Sequence, residues 1–495
     1  MLKSFLRDML TYMPTKVLPA MTGLITTPIL TRLFLPDEYG DWALAVGVAD
    51  FLFAFAISGI GTAALRFFPA YKTKSELNVF FTNLLSMTGL AVGLVSTLSV
   101  LALFLLRSRL PGTLYPLLLI SVTVFAFHSF FAILSEVLRV QNKSSLFTRL
   151  NLLNYYGSLG LGLVMVIAFG LRVEALMYGT LIIQILAIPL LIRSTMEGVR
   201  LGTKYFRTST ILSLWVFAWP LSFGNMAYWG LRISDRFIIE FFRSGIEVGL
   251  YSAVYNISDK TINLIVALFL LSMGPMVANA WEKLGREGTE QMLTKLTRLF
   301  LIICLPITVG LSLLALPFVT LLTGEAYHEG YRIVGYVAFS TFIWGLSRIA
   351  CWGLILNNKT QRFAINQILA AILNIGLNLL LVPRYGYVVA GITTLIGYLL
   401  LLFMHAFTSR SYLTWRLPRK VLLNVSAAAS LMGLVVFGIN TLDTQGNGIS
   451  LILLFLAILA GAIVYIGALW FLGEISDEEK NMVKRFCLAL IRRPV

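Results

Sequence analysis

Two aspartates, Asp50 and Asp259, stand inside long apolar stretches of the chain. A carboxylate surrounded by hydrocarbon is costly and by default faces a cavity or a partner, so these two are candidates for exchanging a proton or a sodium ion. Their bland role would be to cap a contact between helices or to pair with a nearby cation such as Lys260 or Lys16. Lys16, Lys260 and Arg348 are also embedded in apolar sequence, whereas Arg66, Arg232 and Arg236 lie close to the ends of such stretches. Guanidinium and ammonium groups suit phosphate, arginine by bidentate geometry and lysine as a point charge, so a cavity lined by them would favour an anionic head group. Long basic side chains near span ends also reach the interface without any ligand, and snorkelling is the expectation for Arg66, Arg232 and Arg236.

Amides form short stripes at helical spacing. Asn151, Asn154 and Ser158 share one helix face, as do Gln367, Asn374 and Asn378. Such stripes can hydrogen-bond sugar hydroxyls, and they serve equally well to bind neighbouring helices. Glu136 and Arg139, spaced i, i+3 at a helix end, are expected to form a structural pair. The chain holds no GxxxxGK[ST] phosphate loop and no HExxH pair, and His128, His328 and His405 are far apart in sequence. Neither a metal site nor a set of catalytic residues is therefore expected. The three cysteines, Cys304, Cys351 and Cys487, have no paired spacing.

The elements that must position these groups are membrane spans. The chain has 495 residues, 58% hydrophobic and 13% charged, with a mean hydropathy of +0.85. An ordinary soluble domain is about 45–50% apolar and about 25% charged, so soluble enzymes and disordered chains are excluded. Apolar stretches of about 20 residues, the length that crosses a hydrocarbon core of about 30 Å, recur from end to end. About 14 such spans are expected, the first centred near Gly23 and the last near Leu456, in an all-α polytopic fold. Asp50 then lies about eight residues, roughly 12 Å, into the second span, and Asp259 near the middle of the eighth. Pro14, Pro19, Pro28, Pro220 and Pro306 predict kinks.

Net charge is +16. With the amino terminus inside, most lysines and arginines fall on the cytoplasmic face and the outer face is nearly neutral, which places both termini in the cytoplasm. Topology and anionic lipid head groups account for the basic surface, so membrane lipids are expected as partners and nucleic acid is not. The segment from Ser476 to Arg493 reads as an amphipathic helix on the inner leaflet.

The chain repeats itself. Tyr39-Gly40-Asp41-Trp42, leading to Asp50, matches Val248-Gly249-Leu250-Tyr251, leading to Asp259, at an offset of 209 that pairs Gly40 with Gly249 and Asp50 with Asp259. Gln141-Asn142-Lys143-Ser144 resembles Asn357-Asn358-Lys359-Thr360, and Gly179 corresponds to Gly391. Two parallel six-helix units, 1–200 and 201–412, followed by two extra helices and the tail in 413–495, are the expected organisation, with a pseudo-two-fold axis along the membrane normal.

Several segments carry a resemblance. Thr31-Arg32-Leu33-Phe34-Leu35-Pro36-Asp37-Glu38-Tyr39-Gly40, Gly59-Ile60-Gly61-Thr62-Ala63-Ala64-Leu65-Arg66-Phe67-Phe68, Ser234-Asp235-Arg236-Phe237-Ile238-Ile239 and Asn374-Ile375-Gly376-Leu377-Asn378 with Val382-Pro383-Arg384-Tyr385-Gly386 are similar to the bacterial polysaccharide transporters. These are the O-antigen flippase family of the multidrug/oligosaccharidyl-lipid/polysaccharide exporter superfamily. The resemblance runs from about Thr15 to Thr408. It implies two MATE-like lobes around a cationic cavity in the inner membrane. It also implies translocation of an undecaprenyl-pyrophosphate-linked oligosaccharide by alternating access, with no cofactor beyond a coupling H+ or Na+, and a polysaccharide polymerase and chain-length regulator as partners. Lys16, Arg66, Lys260 and Arg348 would be the positions to contact pyrophosphate or acidic sugars, and no family motif fixes any of them as a ligand. A multidrug or cation antiporter of the same superfamily and a lipid II flippase are the alternatives. A membrane glycan polymerase would need a sizeable catalytic loop, which the sequence lacks.

Overall fold

The computed structural model describes residue 21 and residues 23–441 and 451–474. Lys16, Pro14, Pro19, Cys487 and the expected amphipathic tail lie outside them. The described residues are overwhelmingly helical and include no strand. Helix α1 covers residues 23–33. It is followed by α2 (Pro36–Ala56), α3 (Ser58–Thr73), α4 (Leu77–Leu106), α5 (Leu114–Val140), α6 (Ser144–Leu152), α7 (Ser158–Phe169) and α8 (Glu174–Thr195). The second half holds α9 (Thr208–Phe242), α10 (Gly245–Leu313), α11 (Ala315–Leu322), α12 (Val334–Ala350), α13 (Trp352–Leu356), α14 (Thr360–Tyr385) and α15 (Tyr387–Ser409), with α16 (Arg419–Thr441) and α17 (Leu451–Phe471) after it.

Twelve helices among the described residues are long and apolar enough to cross a membrane, and the protein is a multi-pass membrane protein. The difference from the expected fourteen has two visible sources. The first span is described only over its last part, and α10 is one continuous assignment of 69 residues that holds two spans. A straight helix would separate Phe269 from Phe300 by about 46 Å at 1.5 Å per residue. Their rings instead meet edge-on at 5.3 Å. The chain turns back at Gly285, whose φ of 65° and ψ of −158° suit a residue without Cβ. Glu282, Lys283, Arg286 and Glu287 crowd this bend, so it belongs in water. The sharp break thus sits at a glycine, while Pro220 and Pro306 lie within helices.

Helices α2 and α10, which start 209 residues apart, are capped in different ways. Helix α2 begins with Pro36 and carries Asp37 and Glu38 in its first turn, where fixed φ and negative charge suit the exposed N–H groups. Helix α10 begins 209 residues later at Gly245, with the Ser244 hydroxyl capping the Glu247 N–H at 3.3 Å. The Asn142 and Asn358 turns share a conformation: φ is 59° and 54° respectively. Each donates its N–H three residues back (to Arg139 and Ile355), and the following lysine donates five back (to Leu138 and Leu354). That is a Schellman-type helix end, for which asparagine tolerates the left-handed position.

The expected stripe on the fifth span is broken by its own helix. A π-turn over Leu153–Gly157 separates α6 from α7 and shifts the register of the side chains. Asn151 therefore leaves the face shared by Asn154 and Ser158, and its amide donates to Phe147 O at 2.9 Å. The i, i+3 pair forms as expected, with Arg139 and Glu136 2.8 Å apart.

Candidate functional site: a charged cluster between two chambers

Helices α9, α10 and α12 bring Asp259 its partners. The Arg232 guanidinium donates to Asp259 Oδ2 at 3.0 Å and the Thr341 hydroxyl to Oδ1 at 3.0 Å. Asp259 is 6% exposed, and both of its carboxylate oxygens are occupied. Among the described residues the cation in this pair is Arg232 and not Lys260. The partner comes from another helix: α9 continues to Phe242, so Arg232 lies well inside it and not at its end.

Asp50, the repeat counterpart, is in a different situation. It is exposed and faces a cavity of about 290 Å³ enclosed by α1, α2, α5, α7 and α8. It lies in the fields of Arg232, Lys260 and Arg236. His128, Asn154, Ser158, Thr180 and Gln184 share the chamber. The Gln184 amide and His128 Nδ1 are 3.0 Å apart. Asn154 Oδ1, Ser158 Oγ and Gln184 Oε1 are buried there without a protein partner, which leaves them for water or an ion.

A second chamber of about 570 Å³ is lined by Asn225, Tyr228, Trp344, Arg348, Trp352, Phe363 and Gln367 among others. Arg348 is half-buried, with its guanidinium 5.2 Å from the centre of the Phe363 ring. Lys260 is packed along α1, with its Cγ 3.0 Å from where a Cβ on Gly23 would stand. It interacts electrostatically with Arg232, Asp259, Asp50 and Arg236. The candidate cations thus divide: Lys260 belongs to the charged cluster, Arg348 to the large chamber, and Lys16 lies outside the described residues.

The snorkelling expectation fails for two of three arginines. Arg232 is held by Asp259, and Arg236 is 6% exposed, bonded to Ser252 Oγ at 3.0 Å and lying 5.0 Å from the Tyr255 ring. Asp235 beside it accepts a hydrogen bond from Tyr251. An ion pair across the bundle thus holds the Arg232 guanidinium, and a hydroxyl with an aromatic ring holds that of Arg236. Arg66 is exposed and stacks over Phe217 at 4.4 Å. Asn374 and Asn378 are 0% exposed and consumed by one another and by Thr394 and Thr393, in bonds that tie α14 to α15. This is packing, and it leaves them no free face for sugar hydroxyls. Sequence reasoning missed Thr341, Arg232 as a carboxylate partner, and His128 with Gln184; the available signal was the polar i, i+4 pairing of Thr180 with Gln184 on an apolar helix.

Residues 29–332, more than half of the chain, match the family described as polysaccharide biosynthesis protein. The chain belongs to that family. A curated relative, the succinoglycan biosynthesis transport protein ExoT of Rhizobium meliloti (strain 1021), is 23% identical over 320 residues. That match spans 64% of this chain and 62% of the relative's length. Among solved structures, the lipid II flippase MurJ in its inward closed conformation superposes with a TM-score of 0.73 at 18% identity, covering 91% of this chain and 95% of that one. An inward-facing multidrug resistance MATE transporter of the MOP superfamily gives a TM-score of 0.66 at 12% identity, over 79% of this chain and 94% of that one. The family member described here therefore has the helical fold of the MurJ and MATE transporters.

Proposed function

We propose that the protein is a flippase of the inner membrane that moves an undecaprenyl-pyrophosphate-linked oligosaccharide to the outer leaflet by alternating access, with both termini in the cytoplasm. The observation that carries this reading is the chamber in which Arg348 meets Gln367, Asn225 and several aromatic rings, in a chain of the polysaccharide biosynthesis family. A guanidinium can hold a pyrophosphate, while amides and ring faces suit a neutral or acidic sugar. The ExoT and MurJ similarities support transport over synthesis, and we read the protein as a transporter with no catalytic step of its own.

Ion coupling belongs to Asp50 in this reading. Of the two aspartates it alone keeps an accessible carboxylate, and the orphaned oxygens around it would serve H+ (through water) or Na+. Asp259, held by Arg232 and Thr341, positions the cluster.

Deletion of the gene in the native host tests the function. Completed lipid-linked oligosaccharide should accumulate inside while surface glycan disappears. Short, unpolymerised units displayed normally at the surface would replace this reading with an enzyme. Unchanged glycan with raised drug sensitivity would replace it with a multidrug antiporter.

A further inference from the structure

The Asn142 and Asn358 turns, alike in backbone, differ in what their lysines do. Lys143 donates its ammonium to Ser194 O at 2.6 Å, so its charge is spent on the carbonyl end of α8. Lys359 is exposed, with its ammonium 5.6 Å from the centre of the Tyr412 ring. Arg362, also exposed and in the first turn of α14, has its guanidinium 5.5 Å from the same ring. Arg410 follows the last residue of α15 and stacks over Phe407 at 4.6 Å. The Asn366 amide donates to Thr408 Oγ1 at 2.9 Å, which holds the start of α14 beside the end of α15. Three cations therefore gather where these two helix ends meet.

No carboxylate balances them. Among the described residues, Lys359, Arg362 and Arg410 make no ion pair. Glu290, an acidic residue that does contact the loop after α15, already accepts the Thr414 N–H at 2.8 Å and the Arg286 guanidinium at 3.2 Å. Like charges brought together by tertiary contacts repel, and a phosphate seated among them reverses the sign of that interaction. None of the three lines the Arg348 chamber, although Phe363 beside Arg362 does. The cluster is thus separate from that chamber.

Beyond Arg410 the exposed surface of α15 is hydrocarbon. Phe407, Phe403, Leu399 and Ile396 are 53%, 66%, 45% and 38% exposed and recur at helical spacing. From Ile396 to Arg410 the strip runs about 21 Å at 1.5 Å per residue. The Phe403 and Phe407 rings stack at 6.1 Å, which gives the strip a flat apolar surface next to the cations. Soluble phosphate would use the cations alone, whereas an amphiphile with an anionic head uses both parts.

We propose that an anionic phospholipid binds here, with its phosphate among Lys359, Arg362 and Arg410 and an acyl chain along Phe407 and Phe403. The site goes beyond the flippase reading and does not depend on it. Only its assignment to the cytoplasmic leaflet uses the orientation proposed above.

The test uses the full-length protein in phosphatidylcholine nanodiscs containing a phosphatidylglycerol with a diazirine in its acyl chain. Photo-adducts should map to Phe403 and Phe407 and be competed by unlabelled phosphatidylglycerol. Arg362→Gln with Arg410→Gln should lower that labelling about ten-fold, while Arg149→Gln with Arg193→Gln, an equal change of charge at exposed arginines of α6 and α8, should leave it within about two-fold. Equal losses in the two double variants would overturn the site in favour of diffuse attraction. Adducts confined to other helices would also overturn it. Competition by inorganic pyrophosphate as strong as by the lipid would replace the phospholipid with a soluble phosphate, and stronger competition by undecaprenyl phosphate would replace it with a polyprenyl lipid. A second measurement guards against misfolding. In neutral detergent without lipid the Arg362→Gln, Arg410→Gln protein should unfold at the wild-type midpoint, and added phosphatidylglycerol should raise the wild-type midpoint alone. An equal rise in both proteins would overturn the role of the arginines.

Discussion

Gly40 and Gly249 each press against the backbone of the other's helix. A Cβ on Gly40 would stand 2.4 Å from Gly245 O, and one on Gly249 would stand 1.7 Å from Pro36 O. Pro36 and Gly245 differ by 209 residues, as do Gly40 and Gly249, so each contact maps onto the other by the repeat offset. The start of α2 and the start of α10 therefore cross at a self-complementary point, the kind of contact that a two-fold axis generates. Behind it, Asn256 donates to Tyr39 OH at 3.3 Å, and Tyr39 packs edge-on against Tyr327. If the protein alternates its access, this crossing must separate.

Replacing either glycine should weaken that closure. Gly249→Leu or Gly40→Leu should cost about 1–3 kcal/mol, the usual penalty for overpacking a tight contact. The expected readout is a lower thermal midpoint with faster alkylation of an Asn256→Cys probe. Normal stability and unchanged alkylation would show that the crossing is looser than its backbone geometry indicates.

The Arg232–Asp259 pair should respond asymmetrically to substitution. Removing one partner strands a charge, and the loss for a buried pair is about 3–5 kcal/mol. The 30% exposure of the Arg232 side chain places the expected loss toward or below the lower end. Arg232→Met with Asp259→Leu should be more stable than either single substitution. Thermal unfolding of the four proteins in one detergent gives the comparison, and additive losses would show that the two charges act independently.

Asp50→Asn should abolish complementation of the deletion strain while leaving the thermal midpoint nearly unchanged. The reason is structural: among the described residues Asp50 has neighbouring charges at a distance but no contact ion pair. A large stability loss would instead make Asp50 a scaffold residue. Full complementation would remove it from the coupling mechanism.

The two left-handed turns provide a test away from the site. Asn142→Ala and Asn358→Ala should each destabilise by about 1 kcal/mol, because alanine resists positive φ, whereas the glycine substitutions should be nearly neutral. Equal effects of alanine and glycine would assign the asparagine side chains a role beyond the backbone conformation.

Much of the architecture was legible because its causes are local. Hydrophobic runs of membrane length, the glycine and asparagine signatures of helix starts and turns, and the equivalence of Gly40 with Gly249 depend on composition and spacing along one chain. The cost of burying an unsatisfied backbone leaves helices as the solution for such runs. The same locality marked Asp50, Asp259, Lys260 and Arg348 as unusual.

What those residues touch depended on distances between helices, which no spacing along the chain encodes. Arg232, at the end of one apolar run, became the partner of Asp259 only because α9 extends deep into the bundle beside α10. The π-turn at Leu153–Gly157 took Asn151 out of its stripe by changing the helical period. The pair formed by Asn374 and Asn378 turned inward because α15 supplied Thr393 and Thr394. Sequence by itself determined that the chain is a bundle of membrane helices with a few embedded charges, since hydropathy is a property of the chain. Tertiary structure alone decided which charges pair, which remain open to a chamber and where two helices meet closely enough to part, since each of these is a contact between residues remote in sequence.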